Sequence, residues 1–463
     1  MNSYMELMGK IWKYNRVHVS SEMREAFERV FEYYSGSEFI EYPSGKKFGP
    51  LGSWVIPDKW VVHDGVLKDK LGHIIANFKE NPLRLFAYSS PFEGKISRQE
   101  LLDNHVSTMP NRPDALSFNF RNQFRPWDRR WGFSLTQNEA DLLEDEDYFV
   151  SIKTEFVSDQ MTQLEYGTIG EVEDRFLFVG HFDHPAMCND GLSGCIAAME
   201  VIKRLREKKT YYSYSSLLSV EIIGSVAYCE FEPERVQKTL GACFVAMSSS
   251  PTPLSYQNSS DPENFIVDRA MHNLLKFRYE DTNIQEFRHL VGNDEIAFDV
   301  PGISINCGSI TRWPYPEYHS SDDNIDKVEP EMIEEKVQLI LDMVDIIETN
   351  FYIEPNFSGL PCLSNPLLDL YIHPTMISQV QASRSIQPRF TAGLTGNELK
   401  YLQKSRDKLN AFMNNLVPFF SRKGKAISIL DVASKFSLPY RFVSNYLGEW
   451  EKKGLIKYTS RQV

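Results

Sequence analysis

The sequence lacks the features that mark membrane, disulfide-stabilised and broadly nucleic-acid-binding proteins. No run of about 18 apolar residues occurs, so a transmembrane helix is not expected. The six cysteines are scattered without a CxxC pair, which favours free thiols in a reducing compartment. Basic residues are outnumbered, 50 Lys and Arg against 63 Asp and Glu, for a net charge of −13. This balance argues against a surface that binds nucleic acid or anionic lipid throughout, although it allows a local basic patch.

The sequence does contain enough apolar material for several packed cores. Of its 463 residues, 42% are apolar and 13% are aromatic, and the length predicts two or three domains. The first residues include no apolar stretch of the kind that forms a signal peptide. We therefore expect a cytoplasmic protein of several domains that does not bind membranes.

The character of the sequence changes along the chain. Residues 1–41 have helical apolar spacing, whereas residues 42–139 are rich in Gly, Pro, Trp and Val, which is typical of short strands and turns. Short apolar runs then alternate with amphipathic segments, which predicts a mixed α/β sheet flanked by helices. We assign residues 1–41 and 140–356 to this α/β domain and residues 42–139 to an inserted β-rich domain. Residues 357–463 are assigned to linker helices and a winged helix.

Histidine and carboxylate side chains follow the buried strands of the α/β region. The apolar run RFLFVG ends at His181 and Asp183, and Asp190 comes just before a Gly-flanked helix. A second strand ends at Glu221, and His319 lies in a polar loop before the last long helix of this region. Because ligands bind outside the carboxyl ends of the strands in open α/β sheets, we expect these side chains to converge there.

The predicted cluster combines side chains that zinc prefers as ligands. Three protein ligands plus water form a catalytic zinc site, and we predict that His181, Asp190 and His319 are such ligands. Zinc lowers the pKa of its bound water to roughly 7, and a nearby carboxylate then acts as general base and acid. Glu221 is placed for that role. Asp183 is placed to accept the second ring N–H of His181 and so fix its tautomer.

Four motifs in this order, HFD, NDGLSG, VEIIGS and YHSSDD, resemble those of zinc aminopeptidases of the bacterial leucyl aminopeptidase type. With YPSGKKFGPLGSWVIPDKW, RRWGFSL and the C-terminal tail, they are more closely similar to a bacterial family of aminopeptidase-like proteins that is often linked to polysaccharide biosynthesis. Members of that family carry an inserted β-rich domain and a C-terminal winged helix. The resemblance covers nearly the whole chain and implies a zinc-exopeptidase-like fold.

The resemblance also implies a role for each matched residue. His181 and His319 correspond to the first and the late ligand histidines, and Asp190 corresponds to the aspartate that bridges two metal ions. Glu221 corresponds to the general base. Asp183 corresponds to the residue that orients His181.

Two positions depart from the family pattern. The second Glu of the Glu-Glu-x-Gly segment is Ile222, and the strand after which a further aspartate ligand is expected runs into Ser248–Ser250. The number of zinc ions, one or two, is therefore open. Asp294, Glu295 or His184 could complete the site, although a His-Pro dipeptide favours an ordinary turn residue at His184.

We expect a zinc-dependent hydrolase of the aminopeptidase type that cleaves an amide bond in a peptide or a small amide-bearing substrate. The missing ligands favour an alternative, a catalytically degenerate scaffold that binds a peptide or amine ligand or acts as a regulatory protein. Cys188 and Cys195 lie near the predicted site. A nucleophilic cysteine needs an adjacent base, and Cys195 falls inside a helix, so both are interpreted as packing residues.

The C-terminal tail predicts a helix, a turn, a second helix and a strand, which is the element order of a winged helix. A helix that reads DNA shows a basic face. The second helix carries Arg441, Lys452 and Lys453 but also Glu449 and Glu451. We therefore favour a protein-interaction or homo-oligomerisation module over DNA binding, which stays the alternative.

Overall fold

Two compact units make up the chain. The computed structural model describes residues 3–372, 386–421 and 426–462. Unit 1 comprises Met1–Gln257 and Phe287–Val337, and unit 2 comprises Asn258–Glu286 and Gln338–Val463. Unit 1 contains the predicted β-rich region and most of the predicted α/β region, whose residues 258–286 and 338–356 fall in unit 2. The predicted boundaries at residues 41, 139 and 356 remain predictions.

The strands of the described residues are numbered in chain order. They are β1 Glu38–Pro43, β2 Lys47–Phe48, β3 Trp54–Val55, β4 Lys59–Lys68, β5 Ile74–Asn77, β6 Phe92–Ser97, β7 Val106–Ser107, β8 Phe133–Ser134, β9 Asp147–Val157, β10 Gln160–Thr168, β11 Arg175–His181, β12 Ser213–Ser219, β13 Thr239–Val245, β14 Leu254–Gln257, β15 Asn283–Gln285, β16 Cys307–Arg312, β17 Phe351–Pro355, β18 Ile427–Ser428 and β19 Ile456–Arg461.

The α-helices of the same residues are numbered likewise. They are α1 Ser3–Ile11, α2 Ser21–Tyr33, α3 Arg98–Asn104, α4 Gln137–Asp141, α5 Gly194–Leu205, α6 Ile223–Phe231, α7 Pro233–Gln237, α8 Ile266–Arg278, α9 Glu295–Phe298, α10 Pro330–Thr349, α11 Pro388–Thr391, α12 Gly396–Lys404, α13 Arg406–Phe420, α14 Ile429–Phe436 and α15 Tyr440–Lys452.

A mixed sheet forms the centre of unit 1. Its strands in this unit run in the order β1-β10-β12-β11-β13-β16-β14. The four inner strands β12, β11, β13 and β16 are parallel, while β1, β10 and β14 pair with their neighbours in the antiparallel sense. Every residue of β11 and β12 is buried, as expected for parallel strands that are covered on both faces. The predicted mixed α/β sheet is confirmed.

Two glycines allow the chain to turn tightly from β11 into α5. A Cβ atom on Gly191 would lie 2.0 Å from the carbonyl oxygen of His181. One on Gly194 would lie 2.2 Å from the carbonyl oxygen of Val245, at the end of β13. Only glycine permits these close approaches, which explains the NDGLSG motif and brings Asp190 back over the strand ends.

A second sheet in unit 1 is antiparallel, in the order β5-β4-β9-β6. Its core is rich in large apolar side chains such as Trp60, and it also contains Ala186 and Met187 from the loop after β11. This is the β-rich region that the sequence predicts. Its longest strand, β9, pairs with β4 on one side and with β6 on the other.

Unit 2 contains a small antiparallel sheet in the order β18-β17-β19. Between β18 and β19 the chain forms α14, a turn at Ser437 with left-handed backbone (φ 51°), and α15. The predicted succession of helix, turn, helix and strand is therefore present. Within the described ranges, no helix combines the length and apolarity that crossing a bilayer requires.

Candidate metal centre

Four elements of unit 1 bring the predicted site residues to the carboxyl ends of the parallel strands. His181 is the last residue of β11, and Glu221 follows the end of β12, its neighbour in the sheet. Asp190 lies in the turn Asn189–Ser193 that leads into α5, and its own backbone is not helical (φ −89°, ψ 111°). His319 comes from the loop between β16 and α10.

Three imidazole rings converge on one carboxylate. The Nε2 atom of His181 lies 3.0 Å from Oδ1 of Asp190, and Nε2 of His319 lies 3.1 Å from Oδ2. The Nε2 atom of His184 lies 3.6 Å from the same Oδ2 and 4.0 Å from Oε2 of Glu221. His181, His184 and Asp190 are buried, whereas the side chains of His319 and Glu221 are 19% and 18% exposed. The cluster therefore opens to solvent beside His319 and Glu221.

The structure corrects the interpretation of His184. The sequence favours a turn residue there, yet His181, His184 and Asp190 form a cluster whose ligand atoms all lie within 4.8 Å of one another. Such a group can hold a metal ion. The imidazoles of His181 and His184 also stack, with ring centroids 4.5 Å apart.

The structure also corrects the role of Asp183. Its Oδ1 atom accepts the backbone N–H of Glu221 (2.7 Å), and Oδ2 lies 3.2 Å from Nε2 of His18. The carboxylate that faces Nδ1 of His181 is Asp294, at 3.4 Å. Asp183 thus holds the backbone of Glu221 in place, and Asp294 takes the position predicted for Asp183.

Arg16 fixes the loop that carries His184, and nothing in the sequence pattern singled it out. Its buried guanidinium donates to the carbonyl oxygens of Phe182 (3.1 Å), His184 (2.6 Å) and Met187 (2.8 Å) after β11. It also donates to two carbonyls at the end of α1. Burial lowers the pKa of Arg16 to about 10, still far above neutral pH. The loop is therefore held by a cation whose hydrogen bonds all go to backbone.

The turn that carries Asp190 is held by Asp323, which lies four residues after His319. Its carboxylate accepts the backbone N–H groups of Cys188 (3.2 Å), Asn189 (2.6 Å) and Asp190 (2.9 Å). The hydroxyl of Tyr315 donates to it as well, at 3.0 Å. Four donors therefore lock one carboxylate beneath the turn.

At the two positions that depart from the family pattern, backbone N–H groups form hydrogen bonds within the site. The N–H of Ile222, which adopts a left-handed φ of 58°, donates to Oδ1 of Asp294 at 2.9 Å. The N–H of Ser249 donates to Oδ1 of Asn189, also at 2.9 Å. Glu295 accepts the backbone N–H of Asn293, so it does not complete the cluster.

The cysteines near the site are packing residues. Cys188 and Cys195 are fully buried, and burial raises the pKa of both thiols well above the ordinary range. The thiol of Cys195 contacts the carbonyl oxygen of His181 at 3.2 Å. Neither is a nucleophile at neutral pH.

Electrostatics of the cluster favour an added positive charge. Burial, together with repulsion from Asp183 and Asp294, raises the pKa of Glu221 to about 8. Burial likewise raises the pKa of Asp183 to about 7. Burial alone would raise the pKa of Asp190, but His184 and His181 hold it well below the ordinary range. The cluster thus holds more carboxylates than its own cations can keep ionised.

The donor set fits a zinc ion. Zinc bonds to nitrogen and oxygen are about 2.0–2.2 Å long, so neighbouring ligand atoms of a tetrahedral ion lie about 3.3–3.6 Å apart. The separations of 3.1 and 3.6 Å from Oδ2 of Asp190 to His319 and His184 are close to that edge. Among the buried side-chain atoms of the described residues, Oδ2 of Asp294 and Nδ1 of His181 also have no hydrogen-bond partner.

The mixed sheet with this cluster at its strand ends defines an aminopeptidase-like α/β protein. The chain belongs to the DUF4910 family, described as a domain of unknown function, which matches residues 5–350. A Clostridium acetobutylicum protein is 29% identical over 315 residues, which are 68% of this chain and 70% of the relative. That relative is provisionally named a polysaccharide biosynthesis protein with an aminopeptidase-like domain. The family resemblance predicted from the motifs is confirmed.

Solved structures share the fold. A Clostridium acetobutylicum protein provisionally described as a peptidase matches with a TM-score of 0.76 and 23% identity, covering 98% of this chain and 96% of that one. A zinc aminopeptidase from Bacillus subtilis matches with a TM-score of 0.54 and 11% identity, covering 73% and 93%. At these identities the likeness establishes the fold alone.

Proposed function

We propose that the chain is a zinc-dependent hydrolase of the aminopeptidase type that cleaves an amide or peptide bond. The observation that carries this proposal is the convergence of three imidazoles on the two oxygens of Asp190, with Glu221 at the open edge. Two histidines and one carboxylate are a ligand set that catalytic zinc sites use, with water in the fourth position.

The two oxygens of Asp190 divide the histidines into two groups. His181 faces Oδ1, whereas His184 and His319 face Oδ2. We assign the catalytic ion to His181, His184 and Asp190, because the ligand atoms of these three residues all lie within 4.8 Å of one another. His319, at 3.1 Å from Oδ2, would take part in a second site only if a further ion binds. A bound zinc ion supplies a water of lowered pKa and polarises the carbonyl of the substrate.

The chain's own residues supply proton transfer and positioning. Glu221 takes a proton from the attacking water and delivers it to the nitrogen of the departing amine. Asp183 keeps Glu221 at the edge of the cluster through its hydrogen bond to the backbone N–H. The burial of His181, His184 and Asp190 keeps bulk water away and strengthens their interactions with charge.

The substrate we propose is a peptide or a small amide-bearing molecule. The name of the Clostridium relative supports a compound of polysaccharide biosynthesis, such as a sugar that carries an amide. The alternative is a degenerate scaffold that binds such a ligand without cleaving it. It is favoured by Ile222 and Ser249, which stand where the family pattern has metal ligands and which form hydrogen bonds through their backbone N–H groups.

For the C-terminal region we propose a winged helix that binds protein, either a partner or a second copy of this chain. The basic side chains of α15 are engaged within unit 2. Arg441 donates to Asp345, Lys452 donates to Glu449 at 2.6 Å, and Lys453 donates to a backbone carbonyl. Little positive charge is left for DNA phosphates, so salt-sensitive DNA binding stays the alternative. We propose a cytoplasmic location for the whole protein.

Metal content and amide hydrolysis of the full-length protein test the enzymatic proposal together. We expect about one zinc per chain after dialysis against zinc and turnover of at least one member of an amide panel. The near-isosteric Asp190→Asn should lose both. Stoichiometric zinc without turnover of any amide would move the conclusion to the binding scaffold, and absence of zinc would refute the metal centre.

A further inference from the structure

An arginine-rich segment borders the metal centre in a chain that is acidic overall. Residues 118–131 read FNFRNQFRPWDRRW, with four arginines and one aspartate, and we call them the arginine segment. Their formal charge is +3, against −13 for the whole chain. The segment is therefore a local exception to the charge balance of the surface.

The beginning of the arginine segment contacts two histidines of the cluster. The backbone N–H of Phe118 donates to the carbonyl oxygen of His319 at 2.9 Å. The ring of Phe118 lies 5.5 Å from the His319 ring and 5.3 Å from the His184 ring. The ring of Phe120 lies 5.2 Å from that of His319. The segment thus forms a wall of the opening beside His319.

The next turn of the segment carries two arginines, Arg121 and Arg125. Residues Arg121–Phe124 form a 3-10 helix, and the ring of Phe124 packs edge-on against His18 at 4.8 Å. Arg121 directly follows Phe120, and Arg125 directly follows Phe124. Because consecutive Cα atoms are about 3.8 Å apart, the backbone of Arg121 begins next to Phe120, whose ring contacts His319.

The guanidinium groups of the segment are short of counter-charges. Arg121 and Arg130 share one carboxylate, Asp128, each at 3.7 Å, and their side chains are 54% and 61% exposed. Among the described residues, no carboxylate oxygen lies within 4.0 Å of Arg125 or Arg129. The segment therefore presents surplus positive charge.

Arg129 adds a partly desolvated group. Its guanidinium lies over the rings of Phe156 (4.0 Å) and Tyr88 (5.3 Å), and its Nε atom is buried without a hydrogen-bond partner. Burial lowers its pKa. An anion near this side chain would relieve the cost of burying the charge, since guanidinium pairs with carboxylate and phosphate oxygens through paired N–H groups.

We propose that the arginine segment binds an acidic group, a carboxylate or a phosphate, on the molecule whose amide bond the metal centre cleaves. This inference rests on the proposed function for the identity of the ligand as a substrate. Recognition of the acidic group itself depends only on the segment. The substrate class is thus an anionic amide rather than a neutral peptide.

Two double variants test the assignment. Arg121→Ala/Arg125→Ala removes two charges from the segment. Lys208→Ala/Lys209→Ala removes two exposed charges just beyond the far end of α5, which is about 18 Å long. Both variants change the net charge equally, so a general electrostatic effect would appear in both. Equal melting temperatures would establish that both are folded.

In the activity experiment, the zinc-loaded protein is assayed with O-phosphoseryl, glutamyl and alanyl anilides as substrates. Charged hydrogen bonds contribute about 1.5–3 kcal/mol, so the ratio of kcat/KM for an acidic over the alanyl substrate should fall at least about tenfold in the arginine variant. The lysine variant should keep the wild-type ratio. The better of the phosphoseryl and glutamyl substrates identifies the acidic group. A wild-type preference for the alanyl substrate would overturn the proposal.

The binding arm does not depend on turnover. Free phosphoserine or glutamate is added to the protein while tryptophan fluorescence is measured. Trp127, which lies in the segment and is 73% exposed, is the expected reporter, and the Trp127→Phe variant is the control that identifies its signal. If no anilide is cleaved, the proposed hydrolysis fails, yet at least tenfold weaker anion binding in the arginine variant would still support the segment. Arg121→Lys/Arg125→Lys should recover part of the affinity. Equal affinity in wild type and the arginine variant, or no binding by either, would overturn the inference.

Discussion

The two ends of β11 carry buried charged clusters of opposite character. At the start of the strand, Arg175 donates to Glu165 (2.6 Å), to the hydroxyl of Tyr228 and to Thr239 (3.1 Å). Glu165 in turn accepts the hydroxyl of Tyr228 (2.9 Å) and Arg235 (2.7 Å). At the end of the strand stands the metal centre. One strand therefore connects a network whose buried charges are paired with a cluster that has an excess of carboxylates.

The pKa shifts show the same contrast. Burial alone would raise the pKa of Glu165, but Arg175 and Arg235 hold it below the ordinary value. Burial raises the pKa of Glu221 to about 8, because the positive charge of His181 offsets only part of the effect of burial and of the neighbouring carboxylates. Removing one partner from a buried network of matched charges leaves an uncompensated charge, whereas a buried surplus of carboxylates takes up a proton or a cation. Four predictions follow the contrast from large effects to small ones.

Replacing the carboxylate at the open edge should affect chemistry alone. For Glu221→Gln we expect kcat to fall about 10²–10⁴-fold, because general-base catalysis contributes that much, while zinc content is unchanged. The measurement pairs steady-state kinetics with metal analysis, and the exposed Glu230→Gln serves as control. Wild-type kcat in Glu221→Gln would remove Glu221 from the mechanism.

Breaking the network at the other end of β11 should affect stability alone. Arg175→Met removes the donor to Tyr228 and leaves Arg235 as the remaining cation of Glu165, so we expect a loss of about 3 kcal/mol in the free energy of unfolding, the low end for a broken buried ion pair. Zinc binding per folded chain should not change. The matched surface variant Arg29→Met, from a pair whose side chains are 46% exposed, should cost less than about 1 kcal/mol. A similar loss in both variants would contradict the comparison.

Zinc should stabilise the folded protein through the cluster. At a free zinc concentration 100 times Kd, the free energy of unfolding should rise by about 2.7 kcal/mol, and a chelator should reverse the gain. His184→Ala should lose most of the gain, whereas the exposed His63→Ala should keep it. Denaturant unfolding with and without zinc measures both. An undiminished gain in His184→Ala would show that the ion binds elsewhere.

The metal-free protein should lose stability as the pH rises from 6.5 to 8. The pKa of Glu221 is raised from 4.5 to about 8, so in this range the folded state holds a proton that the unfolded state has released. Stability therefore falls with pH, by at most about 1.4 kcal/mol per pH unit for one proton. Glu165, with a lowered pKa, contributes no slope there because it is ionised in both states. The pH dependence of the unfolding free energy, measured across this range, should be weaker in Glu221→Gln than in the wild type. A stability that rises with pH in the wild type would contradict the raised pKa of Glu221.

The sequence alone predicts the location of the site residues that directly follow strand ends. A buried apolar run that stops at His181, and another that stops before Glu221, fix where those side chains emerge, because neighbouring parallel strands end at one edge. The NDGLSG glycines locate Asp190 by the same kind of local rule. The mixed sheet was predictable for the same reason.

The remaining contacts depend on packing between distant segments, which a single sequence does not reveal. Arg16 and His18 reach the site from the N-terminal segment, and their partners are backbone carbonyls and Asp183, more than 160 residues away. His184 has the local pattern of a turn, yet its carbonyl accepts from the distant Arg16 and its ring lies against Asp190. The exchange of roles between Asp183 and Asp294 is likewise a matter of tertiary geometry.

Arg16 has a consequence for the order in which the chain is synthesised. Its acceptor at His184 is 168 residues downstream. At about 5–20 residues per second, the ribosome delivers that carbonyl roughly 8–34 s after Arg16 is made. During that interval the guanidinium remains solvated, and the nascent chain has no folded loop to receive zinc. Zinc binding is therefore expected only after the segment that carries His184 and Asp190 has been translated.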